Sequence, residues 1–129
     1  MELKPKVDSI NVTIDENDLV IVRTTPGADI TISDVKTTFF WAVEQMKPNK
    51  LDAIIIGSQG ISFDAESREF FRSKEFQQHL NHYALVVKNF GHRLFVDLIF
   101  KLNKPMMDYK IFTSDEMGLK WLREMKARS

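Results

Sequence analysis

The sequence predicts a single α/β domain, in which helices pack on a mixed sheet that begins with a β-hairpin. Three observations predict it. Short apolar runs rich in β-branched residues alternate with amphipathic, helix-periodic stretches. The first two runs are separated only by the polar string Asp15-Glu16-Asn17-Asp18, which leaves a hairpin as their connection. Finally, 129 residues that are 43% hydrophobic and 28% charged suit one core, and no Gly/Ser linker, repeat or low-complexity tract divides residues 1–129.

Val7, Ile10, Val12 and Ile14 alternate with polar neighbours, and Leu19-Val20-Ile21-Val22 follows the turn, so both read as strands. Pro26-Gly27 marks a second turn. Ser33 is the expected cap of a helix that places Val35, Phe39, Ala42, Val43 and Met46 on one face and ends before Pro48. Leu51-Asp52-Ala53-Ile54-Ile55-Ile56 is nearly continuous in apolar residues and ends at Gly57, as expected of a central strand covered on both faces. A helix of about a dozen residues starts at Asp64 with Phe70, Phe71 and Phe76 inward. His82-Tyr83-Ala84-Leu85-Val86-Val87 is the next strand. Over 91–102, Leu94, Phe95, Leu98, Ile99 and Leu102 make a helical core face opposite the ladder Arg93, Asp97, Lys101, and Pro105 follows. Tyr109-Lys110-Ile111-Phe112-Thr113 is a last strand, after which Ser114-Asp115-Glu116 opens a helix with Leu119, Leu122 and Met125 inward. The predicted order is ββαβαβαβα.

Charge and composition narrow the function. Eighteen basic and eighteen acidic residues cancel, so no global field gathers nucleic acid. Without cysteine there is no disulfide, thiolate nucleophile or Cys-ligated zinc, and a cytoplasmic setting is expected. No apolar run approaches the ~20 residues of a membrane span.

Several strings resemble the small STAS-like, or SpoIIAA-like, proteins, which share the fold of anti-sigma-factor antagonists. Gly91-His92-Arg93-Leu94 opening a helix that ends Leu102-Asn103-Lys104-Pro105, and Ile111-Phe112-Thr113 before Leu119-Lys120-Trp121-Leu122, are similar to a bacterial subgroup of uncharacterised function. Pro26-Gly27-Ala28-Asp29-Ile30-Thr31 and Ile54-Ile55-Ile56-Gly57-Ser58-Gln59-Gly60-Ile61 carry the resemblance further, so that it runs along the whole chain. It implies a STAS-like fold. In antagonists of this fold, a serine after an aspartate at the start of the helix following the central strand is phosphorylated by a partner kinase. Asp64 matches that aspartate, but Ala65 stands at the acceptor position and Glu66 follows it. Ser62 and Ser67 are the substitute hydroxyls, and both Ser62 and Asp64 also read as capping residues.

Candidate chemistry is sparse. His79 and His82 stand three residues apart without a third ligand nearby, and His82 entering a strand points the pair apart, so no metal site is expected. No Gly-x-Ser-x-Gly, Walker, dinucleotide or His-Glu-x-x-His string occurs, and neither an enzyme nor a cofactor is expected. His92 and Arg93 sit at a helix start that could take an anion. Trp41, Val96 and Phe100 fall outside the core stripes and, with Phe95, form the candidate surface for a second copy or an apolar ligand. The sequence therefore reads as a noncatalytic regulatory or protein-interaction module, possible as a homodimer, whose partner contact involves Ser58, Ser62, Asp64, Ser67, His92 and Arg93. The alternative is a carrier of a small hydrophobic ligand lined by Phe90, Phe95, Ile99 and Phe100.

Overall fold

The computed structural model describes residues 4–88 and 107–128. The expected hairpin forms between β1 (Ile10–Ile14) and β2 (Val20–Thr24), antiparallel, with Val12 opposite Val22. Asp15 Oδ1 accepts the amides of Asn17 and Leu19, each at 2.9 Å, and so closes the connection. The predicted central strand is β4 (Leu51–Ile56), which lies between β2 and β6 (Leu80–Val86), parallel to both; β7 (Asp108–Phe112) adds a further parallel strand. The sheet order is β1-β2-β4-β6-β7.

Alternation within these strands decides what each face holds, because successive side chains point to opposite sides. Leu51, Ala53, Tyr83 and Leu85 face one core with Val12 and Val20. The helix α1 (Ile32–Met46) covers that side through Val35, Ala42 and Val43, joined by α2 (Ala65–Arg72) and α3 (Lys74–Gln77) through Phe70 and Phe76. Ile54, Ile56, Ala84 and Val86 face the other way, against α4 (Asp115–Arg128) and its buried Leu122. Each Val, Leu or Ile among them contributes about 1.5–3 kcal/mol by leaving water. Gly118 lets α4 lie close: a Cβ there would stand 2.9 Å from Ile54 Cδ1 and 3.1 Å from Val86 Cγ2.

The observed order adds three features to the predicted one. Two two-residue strands, β3 (Asp29–Ile30) and β5 (Ser62–Phe63), pair in parallel as a separate sheet. The dozen-residue helix breaks at Ser73, which caps α2 and restarts the chain as α3 by accepting the Phe76 amide at 3.3 Å. The first helix is capped by Thr31 rather than Ser33, with Asp34 N donating to Thr31 Oγ1 at 3.3 Å. The helix expected over 91–102, with its Arg93-Asp97-Lys101 ladder, lies outside the described residues. Among those described, no helix is long and apolar enough to cross a membrane.

Candidate functional site

The parallel strands β2 and β4 each release a loop at the C-terminal edge of the sheet, and the two loops zip together. Residues 25–28 make a turn in which Ala28 N donates to Thr25 O at 3.1 Å and Gly27 takes φ 74°. Pro26 before that glycine is the sequence preference of a type II turn. Gly60 also has φ 74°, and a Cβ on it would lie 3.4 Å from Gly27 Cα, so the loops meet through two residues without side chains. Gly27 N donates to Gln59 O (2.9 Å), Ser62 N to Ala28 O (3.0 Å) and Asp64 N to Ile30 O (3.1 Å). Ser62 Oγ donates to Asp29 Oδ1 at 2.6 Å.

Asp64 ends this ribbon and fastens two helices. Its Oδ1 accepts the Ser67 amide at 2.8 Å, capping α2, and its Oδ2 accepts the Ile32 amide at 2.9 Å, at the first residue of α1. The neighbouring Ser67 hydroxyl, then the Ile32 and Ser67 amides, hold the carboxyl below the ordinary carboxylate range, aided by Arg68. Ser67 Oγ itself is fully buried.

Beside the ribbon, on the α4 side, a cleft of about 460 Å³ opens between Arg23, Thr24, Pro26, residues 56–59, Lys88 and Asp115. Ser58 forms its floor and is tied to the end of β2 twice: Ser58 N donates to Thr24 Oγ1 at 2.7 Å, and Ser58 Oγ donates to Thr24 O at 2.6 Å. Asp115, in the first turn of α4, bridges two cations, with Oδ2 3.4 Å from Arg23 Nη1 and Oδ1 3.1 Å from Lys88 Nζ.

The opposite end of the sheet holds a polar row that the sequence reading missed. Asp52, His82 and Asp108 are register partners on β4, β6 and β7, on the α4 face. His82 Nδ1 donates to Asp52 Oδ1 at 2.7 Å, both side chains being buried, while His82 Nε2 lies 4.0 Å from Asp108 Oδ2. Lys126 Nζ, from α4, stands 3.7 Å from Asp52 Oδ2, and the Trp121 ring meets the imidazole edge-to-face at 6.3 Å. The signal was present: Asp52 interrupts the apolar run of β4, His82 stands at the head of the apolar run of residues 83–87, and a buried polar side chain needs a partner.

The structure brings Ser58, Ser62 and Asp64 onto one ribbon, but withdraws Ser67 from it: at 0% exposure, Ser67 is a packing residue, not a contact or acceptor at the surface. Trp41 is half-buried. It packs against the α1 core cluster, with Nε1 buried, because the side of α1 bordering the core stripe is partly covered too. His79 sits edge-on to Phe39 and Phe40 at 5.8 and 6.0 Å, on the other side of the sheet from His82's partners, and no three acidic or histidine side chains among the described residues are grouped to hold a metal. His92, Arg93, Phe90, Phe95, Val96, Ile99 and Phe100 lie outside the described residues. The cavity under α1, lined by Val35, Phe39 and Tyr83 among others, measures about 60 Å³, far below the ~300 Å³ at which ligand pockets begin.

A five-stranded mixed sheet opening with a hairpin, with α1–α3 on one face and α4 on the other, defines a SpoIIAA-like α/β domain. The chain is similar in structure to an uncharacterized protein of the DUF3478 family with a SpoIIAA-like fold from Shewanella loihica PV-4, at a TM-score of 0.63 and 12% identity, over 94% of this chain and 99% of that one. Within that class, the chain belongs to the family described as domain of unknown function DUF7793, which it matches over residues 12–126. No curated protein matches it.

Proposed function

We propose that this domain works by association rather than turnover, as a cytoplasmic regulatory or protein-interaction module that meets its partner at the C-terminal end of the sheet. The observation that supports this reading most directly is the state of the cleft. Its hydroxyl is committed to the scaffold, Ser58 being held to Thr24 through both its amide and its Oγ. The two described histidines are spent elsewhere, His82 on Asp52 at the far sheet end and His79 among the α1 aromatics, so neither serves Ser58 as a base. What the edge offers instead is a ribbon zipped by backbone hydrogen bonds with an exposed rim, and loops tied in this way suit recognition because little ordering entropy is lost on contact. Ala65 stands at the position that resembles the antagonists' acceptor, and the nearby exposed hydroxyl of Ser62 is bonded to Asp29. The contact is therefore independent of a serine switch at residue 65.

Affinity capture from the native host tests this with two chains, wild type and the triple variant Pro26→Arg, Ser58→Arg, Gln59→Arg, after circular dichroism shows that both are folded. A stoichiometric partner, whether another protein or a second copy, retained by wild type and lost from the variant supports the reading. Equal retention by both chains, or a bound small molecule as the only companion in the native mass spectrum, contradicts it.

A further inference from the structure

We infer that Arg23 and Lys88 form a subsite for a phosphate monoester dianion, which the protein's own Asp115 occupies as an internal competitor. The subsite shares the cleft of the preceding reading but does not depend on it, since a small anion could bind there whatever protein the ribbon meets.

The two cations come from strands on either side of β4. Arg23 lies near the end of β2, paired with Ile56 in register, and Lys88 follows the end of β6. They converge on one carboxylate, one oxygen to each, at 3.4 and 3.1 Å. Their side chains are 51% and 53% exposed, so these ion pairs add little to stability and cost little to exchange. With Asp115 in place the cluster carries one net positive charge, and with Asp115 displaced the two cations that remain carry two. A monoester dianion balances both cations and supplies enough oxygens for the guanidinium fork and the ammonium together. A second carboxylate would leave the charge uncompensated. The start of α4, a 14-residue helix, adds the positive end of its backbone dipole on the same side. The cleft volume of about 460 Å³ leaves room for an organic group beyond the phosphate, at the edge of the sheet where open α/β folds bind ligands.

The test titrates phenyl phosphate, benzoate and phenol into the protein at low ionic strength, followed by backbone amide shifts, with a phosphoserine tripeptide as a parallel arm. Phenyl phosphate is expected to move the amides of Ser58, Gln59 and Lys88 and to bind at least tenfold more tightly than benzoate. Asp115→Asn frees both cations and raises phenyl phosphate affinity at least tenfold; Asp115→Ala, which leaves the Ser114 cap of α4 intact, does the same should the amide variant fail to fold. Arg23→Gln with Lys88→Gln lowers it at least tenfold. Binding of the monoester by the same groups in both arms supports the subsite, and the tighter arm tells whether the phosphate comes on a small molecule or on a protein side chain. Affinity unchanged in the Asp115 variants, affinity unchanged in the double variant, or shifts scattered away from the cleft overturns it.

Discussion

Asp64 and Ile32 are joined across 32 residues of sequence by a 2.9 Å hydrogen bond, in which the first amide of α1 donates to the carboxylate that caps α2. Two helix starts thus share one side chain. Each contributes an amide that has no partner within its own helix, so one carboxylate satisfies donors that would otherwise go to water or remain unpaired. Because the ribbon of residues 25–31 and 57–64 ends at this point, Asp64 also sets the loop geometry on which the proposed contact surface rests.

Replacing it separates the two bonds. Asp64→Asn keeps an oxygen for one amide but turns an NH₂ toward the other, and Asp64→Ala loses both, so the melting temperature falls in the order wild type, Asn, Ala. The pH dependence has a definite sign. The folded carboxyl titrates below its ordinary value of 3.8, so its contribution is complete above that value and is lost as pH falls through the lower, folded value. Thermal unfolding between pH 2 and pH 5 should show a shallower acid limb in Asp64→Asn than in wild type.

The Asp52–His82 pair is the buried polar commitment of the other sheet end. Asp52→Ala strands the imidazole beneath α4 and is expected to cost about 3 kcal/mol, as for removal of one member of a buried pair. The double replacement Asp52→Leu, His82→Leu removes both polar groups and should recover most of that loss. Urea unfolding of the two variants checks this, and a double variant no more stable than Asp52→Ala would show that the pair is not an isolated two-body unit.

Gly118 is required by distance, not by its dihedral angles. Gly118→Leu drives a side chain into fully buried Ile54 and the adjoining Val86, and overpacking of this kind costs about 1–3 kcal/mol despite the better helix propensity of leucine. The denaturation midpoint in urea measures it directly.

Thr24→Val preserves shape and removes the acceptor of the Ser58 amide. The amide is left without its partner at about 1–3 kcal/mol, and its hydrogen exchange should accelerate while the Val20-to-Ala53 register of β2 and β4 holds. Exchange confined to residues 57–59 is the expected pattern.

How far the sequence carried this fold follows from which forces are local. Leu51 to Ile56 was legible to the residue because an apolar run bounded by polar residues and glycine needs no distant information. Asp64 as a cap, and Ser114 before α4, were legible for the same reason: Met117 N does donate to Ser114 Oγ, at 3.3 Å. The pairing of Asp29–Ile30 with Ser62–Phe63 was not, since two-residue strands carry no periodicity and their bonds join segments more than thirty residues apart. Asp52 and His82 stood in view as polar interruptions, yet their partnership depends on the β4–β6 register, which no local pattern fixes. For Trp41, helical spacing gives a direction around α1 but not how much of the helix its neighbours cover. The cleft depends on β2, β4, β6 and α4 arriving at one place, so Arg23, Lys88 and Asp115 carried no common signal along the chain.

The most direct test of the proposed contact surface places a photo-crosslinking residue at Gln59, in the ribbon, or at Asp108, at the opposite sheet end, in protein expressed in its native host. A single discrete adduct formed from Gln59 and not from Asp108 is the predicted result. Adducts from Asp108 alone, equal adducts from both positions, or none from Gln59 would contradict an interaction module that works through the C-terminal edge of its sheet.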